Sequence, residues 1–327
     1  MKKWNVYATR RIPEPAISTI AKECNVVLNN NDRPSIRSEL LDGVRNKDAI
    51  LCTLSDKIDR EVLDSAGPTL KVISSYSTGT DHIDIKEATK RGIYVTTTGD
   101  ILTEAVADLT FALILGISRY VVQGHEMVTQ GQWKFGWDPN LLLGSDIHGS
   151  TIGIFGLDKI GTAVAKRAKG FDMEIIYYRR QGKKNIQIDN ELGAKHVSNM
   201  DELVEKSDFL SLHCPLNSET HHLIDRSKLK RMKKGSYLVN TARGSVVNED
   251  HLIEALENQW IAGAALDVFE KEPPLPNNPL LKMKNVLLLP HLGSATFSTR
   301  TKMAKVAAEN LLNVLNEKRS IYGADQE

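Results

Sequence analysis

The chain has 327 residues, 41% hydrophobic and 25% charged, a length and balance that suit two compact soluble domains. Its 42 basic and 41 acidic residues leave a net charge of +1, which supplies no drive toward nucleic acid or an anionic membrane surface. No apolar run reaches membrane-spanning length, and the opening MKKWNVYATR passes straight into a strand pattern. Cys24, Cys52 and Cys214 stand far apart beside apolar runs, so the expectation is a cytoplasmic protein with buried thiols and no metal.

Taken in order, the first hundred residues alternate between two patterns. Short β-rich runs at 5–8, 25–28, 49–54, 71–75 and 93–97 are separated by amphipathic stretches at 15–23, 35–45, 59–66 and 83–91. That alternation predicts right-handed crossovers and a parallel sheet covered on both faces. Residues 103–120 (TEAVADLTFALILGISRY) break the rhythm; Thr103 suits a helix cap, and the stretch is apolar almost all round, which predicts a buried helix. Residues 123–149 lack periodicity and carry Trp133 and Trp137, two residues suited to contact with another chain. Strand runs then resume at 151–155, 173–178, 209–213, 236–240, 262–268 and 286–289, predicting a second doubly wound sheet inserted after the first. A helical pattern at 294–316 is expected to return the C-terminus to the first domain.

The stretch TIGIFGLDKIG at 151–161 runs from a strand through Gly156 into a helix pattern, which gathers helix N–H groups at one point and makes a phosphate site. Gly156 and Gly161 fill the outer positions of G-x-G-x-x-G, with Asp158 in the middle one. After the next strand, where an acidic residue would bind the ribose 2′-hydroxyl of NAD, stand Arg179 and Arg180, whose forked donors suit a 2′-phosphate. NADP(H) is therefore expected over NAD(H). Three later strands end in VNTARG with Arg243, LDVFEKEP with Asp267 and Glu272, and LPHLGS with His291. An arginine clamps a carboxylate, a histidine carries a proton, and a glutamate orients that histidine and favours its charged form. Together they form the set needed to reduce a 2-oxo acid with a hydride donor.

The ordered motifs T-E-x-x-A-D-L, G-L-x-K-I-G, H-C-P-L, N-T-A-R-G, D-V-F-E-x-E-P and P-H-x-G-S resemble the D-2-hydroxyacid dehydrogenase family over nearly the whole chain. Within it the glyoxylate/hydroxypyruvate reductases are most similar, from G-W-D-P at 136–139 and the arginines after the second strand of the inserted sheet. The resemblance implies an α/β protein of two doubly wound parallel-sheet domains. A Rossmann NADP-binding domain (103–293) would be inserted into a flavodoxin-like substrate-binding domain (1–102 plus 294–327).

It also implies that Arg243 binds the substrate carboxylate, that His291 is the acid for the carbonyl oxygen, and that Glu272 pairs with His291. Ser77, Thr78 and Gly79 would hold the carboxylate through backbone N–H groups, while Leu54 and Ser55 close over the substrate. Trp137 would reach into the neighbouring subunit's site, implying a homodimer. Cofactor contacts would come from Thr103, Gly156, Leu157, Asp158, Lys159, Ile160, Arg179, Arg180, Cys214, Pro215, Thr220, Thr241, Ala242, Asp267 and Gly293.

His82 and His213 read as structural, and His221, His222 and Glu219 lack a complete metal set. Asp158 is the departure from the glycine pattern and is expected to weaken cofactor binding without abolishing it. The implied activity is NADPH-dependent reduction of glyoxylate or hydroxypyruvate in the cleft between the domains. The alternatives are a dehydrogenase for a larger acid such as phosphoglycerate or a branched-chain 2-oxo acid, and a nucleotide-sensing corepressor of the same fold.

Overall fold

The computed structural model describes residues 3–29, 31, 33–179 and 185–324. The chain divides into two units, 1–102 with 295–327, and 103–294. In the first, the alternating pattern becomes β1 (Trp4–Ala8), α1 (Ala16–Glu23), β2 (Cys24–Leu28), α2 (Arg37–Gly43), β3 (Ala49–Cys52), α3 (Arg60–Ala66), β4 (Val72–Ser75), α4 (Ile85–Lys90) and β5 (Tyr94–Thr96). The strands pair in parallel in the order β2-β1-β3-β4-β5. Successive strand residues point to opposite faces, so Val6, Ala8 and Leu51 pack into one core while Tyr7 and Ile50 pack into the other.

The second unit opens with α5 (Thr103–Ser118) and α6 (Val121–Thr129), then continues through β6 (Thr151–Phe155), α7 (Lys159–Gly170), β7 (Glu174–Tyr178), α8 (Ile186–Leu192) and β8 (Lys195–His196). It is completed by α9 (Met200–Lys206), β9 (Phe209–Leu212), α10 (Arg226–Arg231), β10 (Tyr237–Asn240), α11 (Glu249–Glu257), β11 (Gly263–Leu266) and β12 (Val286–Leu288). The seven strands run parallel in the order β12-β11-β10-β9-β6-β7-β8, so the order reverses between β6 and β9. The last helix, α12 (Phe297–Leu315), packs its Ala304, Ala307, Leu311 and Leu315 into a core of the first unit.

Two expectations change. Part of the stretch expected to be irregular, 123–149, is helical, because α6 covers Val121–Thr129. That helix buries none of its residues in this chain, and Val121, Val122 and Val128 face outward, so no core-directed periodicity could betray it. The two-residue strand β8 was not anticipated, being too short to carry an alternation. The helix foreseen after Gly156 begins at Lys159, and the one foreseen over 294–316 is Phe297–Leu315. Helix α5 is buried along most of its length, as its all-round apolar composition requires. Among the described residues no single helix is long and apolar enough to cross a membrane.

Candidate active site

One line of register crosses the second sheet. Tyr178 of β7 is level with Phe155 of β6, then Leu212 of β9, Asn240 of β10, Leu266 of β11 and Leu288 of β12. Because every strand is parallel, these residues mark a single carboxyl edge. The predicted residues of this unit mostly follow that line within a few positions: Arg179, Gly156, Cys214, Arg243, Asp267 and His291. From β7 to β12 the edge spans roughly 24 Å, at about 4.8 Å per strand.

The turn after β6 depends on two glycines. Gly156 has φ +92°, and a Cβ there would lie 2.6 Å from the His213 carbonyl oxygen. At Gly161 a Cβ would lie 2.0 Å from the Gly156 carbonyl oxygen, so both positions must be bare for the turn to close. The backbone ladder of α7 starts where Thr162 N–H donates to Asp158 O at 2.8 Å. The N–H groups of the preceding turn come before that ladder begins, and a glycine turn at a helix N-terminus fits a dinucleotide's pyrophosphate. Asp158 occupies the middle position with φ −89°, which any residue adopts, so the fold imposes no glycine there. Its carboxylate accepts from Arg179, Nη2 donating to Asp158 Oδ1 at 3.0 Å. Arg180 lies outside the described residues.

Several predicted contacts also build the loops that hold them. Thr220 is buried, and its hydroxyl donates to Pro215 O at 2.7 Å and accepts from Asn217 N–H at 2.9 Å, shaping the loop that carries Cys214 and Pro215. Thr241 Oγ1 lies 3.2 Å from Thr110 Oγ1 on α5, the helix that begins at Thr103. His213 is buried and its Nε2 lies 2.8 Å from Ser211 Oγ. Burial pushes its pKa down to about 3, so the imidazole is neutral in the folded protein.

An unfolded histidine takes up its proton near pH 6.5, so this group costs stability as pH falls from about 6.5 toward 3 and costs none above. Between about pH 7.5 and about pH 5 the urea midpoint should drop by the equivalent of about 2 kcal/mol from this residue. The drop should be smaller in His213→Asn, and an identical pH dependence in the two proteins would refute the assignment.

At the other end of the edge, Asn240 is buried at the close of β10. Its side chain accepts from Ala242 N–H at 3.0 Å and donates to Arg243 O at 2.9 Å, fixing the backbone from which Arg243 projects. Arg243 Nη1 donates to Ala242 O at 2.8 Å. Asp267, buried after β11, accepts from Leu292 N–H at 2.6 Å and Gly293 N–H at 2.8 Å, and its carbonyl oxygen accepts from His291 N–H at 2.9 Å. Burial raises the Asp267 pKa against the pull of those N–H groups and of His291.

The result of this bracing is that His291 sits at φ 55°, a left-handed backbone uncommon outside glycine and asparagine. Its Nδ1 lies 2.8 Å from Glu272 Oε2, and Glu272 Oε1 accepts from Phe269 N–H at 3.1 Å. Burial pushes the Glu272 pKa up, but the His291 hydrogen bond and charge, the Phe269 N–H and Arg243 outweigh it and hold the carboxyl below its ordinary value. A cavity of about 350 Å³ lies against the pair, walled by Phe269, Pro273, Leu281 and Leu288. Asn240 and Phe269 escaped the sequence reading; a polar residue ending an apolar strand was the available signal for Asn240.

The other predicted residues lie apart from this edge in the chain. In the first unit, Leu54 and Ser55 occupy the turn closed by Asp56 N–H to Thr53 O at 3.1 Å. Thr78 Oγ1 donates to Gly99 O at 2.5 Å, while Gly79 O accepts from Ser77 Oγ at 2.7 Å. His82 Nε2 lies 3.0 Å from Ser75 Oγ, in the same hydrogen-bonded chain as Ser77. Trp137 is 83% exposed. Cys24, Cys52 and Cys214 are buried and unbridged, and the described residues contain no cluster able to hold a metal ion.

A parallel sheet whose order reverses beside a glycine turn and a helix N-terminus is the architecture of a dinucleotide-binding protein. Residues 111–293 match the family model described as D-isomer specific 2-hydroxyacid dehydrogenase, NAD binding domain. The glyoxylate reductase of Thermofilum pendens is 51% identical over 316 residues, 96% of this chain and 92% of that protein. That of Thermococcus litoralis is 48% identical, covering 95% and 93%. Among solved structures, an NADPH-dependent glyoxylate/hydroxypyruvate reductase from Sinorhizobium meliloti, in complex with NADP and malonate, superposes with a TM-score of 0.87 at 29% identity, covering 99% and 98%. The chain belongs to the D-isomer specific 2-hydroxyacid dehydrogenase family, and so to the nicotinamide-dependent oxidoreductases.

Proposed function

We propose that the protein reduces glyoxylate or hydroxypyruvate to the corresponding 2-hydroxy acid, with NADPH as the hydride donor. The observation that carries the reading is the 2.8 Å pair of His291 and Glu272 on the carboxyl edge that also bears Arg243 and the glycine turn. An ionised Glu272 only accepts, so His291 Nδ1 is the donor in that bond and Nε2 is the atom left to exchange a proton with substrate. Arg243 offers a planar fork for the substrate carboxylate, and its charge draws electron density from the neighbouring keto oxygen. When bound, the nicotinamide supplies the hydride. Overall, one 2-oxo acid, one NADPH and one proton give one 2-hydroxy acid and NADP⁺, the proton arriving at the carbonyl oxygen from His291 Nε2.

The residues proposed to hold the cofactor are Gly156–Ile160, with Thr103, Cys214, Pro215, Thr220, Thr241, Ala242, Asp267 and Gly293. Arg179 is proposed to face the 2′-phosphate, supported by the lack of a carboxylate at the end of β7. Leu54, Ser55, Thr78 and Gly79 are proposed as further substrate contacts, in a first unit made of 1–102 with 295–327.

A second copy of the chain is the proposed partner. The α6 face and the segment after it leave Val121, Val128, Trp133, Phe135, Trp137 and Leu143 exposed, large apolar side chains that water does not favour. Purified protein mixed with NADPH or NADH and a panel of glyoxylate, hydroxypyruvate, branched 2-oxo acids and phosphohydroxypyruvate tests the reading through cofactor absorbance. Glyoxylate or hydroxypyruvate should be consumed fastest with NADPH, by a species whose light-scattering mass is that of two chains. If no acid oxidises NADPH the reductase reading fails, and a one-chain mass removes the dimer.

A further inference from the structure

Asp158 and Arg179 meet at two adjacent strand ends. Phe155 and Tyr178 are register partners, Gly156 N–H donates to Tyr178 O at 3.1 Å, and Arg179 is the next residue along its strand. An aspartate at the N-cap of a helix ordinarily turns its carboxylate onto that helix's own N–H groups. Asp158 makes no such bond; its carboxylate turns outward and accepts from Arg179 Nη2 at 3.0 Å. The anion cradle of α7 is thus not filled by Asp158. What Asp158 occupies is one flank of the guanidinium at the end of β7, with the aspartate side chain 69% exposed and the arginine 33% exposed.

We propose that Asp158 is an internal competitor for Arg179 and sets how strongly the site prefers a 2′-phosphate over a 2′-hydroxyl. The inference rests on Arg179 facing the cofactor's 2′ position, as proposed above. A 2′-phosphate brings close to two negative charges to a guanidinium that already has an anionic partner, so binding works against carboxylate–phosphate repulsion. A ribose 2′-hydroxyl brings no charge and can donate to the Asp158 carboxylate, the bond that an acidic residue at the end of this strand makes in NAD sites. One pair of side chains therefore admits both cofactors, and the carboxylate reduces the margin between them.

Dissociation constants for NADPH and NADH, from fluorescence titration of the intact protein without substrate, test this in the parent, Asp158→Asn, Arg179→Gln and the double variant. Calorimetry with adenosine 2′,5′-bisphosphate and AMP repeats the comparison on the 2′ group alone. Asp158→Asn should tighten NADPH and the bisphosphate about fivefold, the scale of a part-exposed ion pair, and leave NADH and AMP unimproved. The gain should shrink at high salt and vanish when Arg179 is already glutamine. Equal tightening of NADPH and NADH would place the repulsion at the pyrophosphate and overturn the proposal. No tightening, or weaker NADPH, would make Asp158 only a prop for Arg179 and also overturn it. If Arg179→Gln leaves NADPH affinity unchanged, the 2′-phosphate reading itself falls, which separates that failure from the other two.

Discussion

His291→Asn is expected to lower kcat for 2-oxo acid reduction by roughly 10²–10⁴-fold, the range for losing a positioned acid. Asparagine is the informative replacement because His291 holds φ 55°, a conformation that asparagine tolerates better than alanine or glutamine. The backbone N–H bond to Asp267 O at 2.9 Å then survives, and with it the turn that places Leu292 and Gly293 on the Asp267 carboxylate. NADPH affinity and the thermal midpoint should stay close to the parent values, so lost turnover cannot be put down to a collapsed loop. Turnover within about tenfold of the parent would remove His291 from the proton-transfer role.

For Arg243→Gln the expected result is a fall in kcat/KM of roughly 10²–10³-fold, with most of it in KM for the acid. A carboxylate bound by a charged fork loses both the charge and one of two parallel hydrogen bonds when glutamine replaces arginine. Arg243→Lys should recover only part of the activity, because an ammonium presents a point charge in place of a planar, two-donor fork. Asn240 sharpens the test. It ties Ala242 N–H and Arg243 O, so either substitution at 243 leaves the strand-end backbone braced. Steady-state kinetics with the acid varied at saturating NADPH gives the split, and a KM equal to the parent's would take the carboxylate away from Arg243.

Glu272 bears on both results. Its carboxyl lies below the ordinary value because His291, the Phe269 N–H and Arg243 together outweigh the cost of burial. It therefore stays ionised at acidities where an isolated glutamate begins to protonate, and with it the Nδ1 bond that keeps Nε2 outside the pair. Phe269, Pro273 and Leu288 line the cavity beside the pair, so its immediate wall on that side is apolar.

Much of this was legible in the residues alone. The apolar runs expected at 151–155 and 236–240 end abruptly at Gly156 and Asn240, and the structure has strands there over 151–155 and 237–240. Parallel strands joined by right-handed crossovers must deliver their C-terminal residues to one edge, which is why the sequence alone groups Arg243, Asp267 and His291. Helix α6 was not legible, since a helix that buries nothing within its own chain carries no inward period.

What the sequence by itself determined, then, was the alternation of elements, the rim on which the chemistry-bearing residues gather, and the residue types found there. The tertiary structure alone decided how those residues pair. Spacing along the chain cannot say that Glu272 Oε2 meets His291 Nδ1, or that His291 takes a left-handed backbone to do so. Nor can it say that Asp158 turns away from its own helix to Arg179, 21 residues on. Such pairings depend on side-chain direction and on the approach of neighbouring strand ends, and a linear pattern records neither.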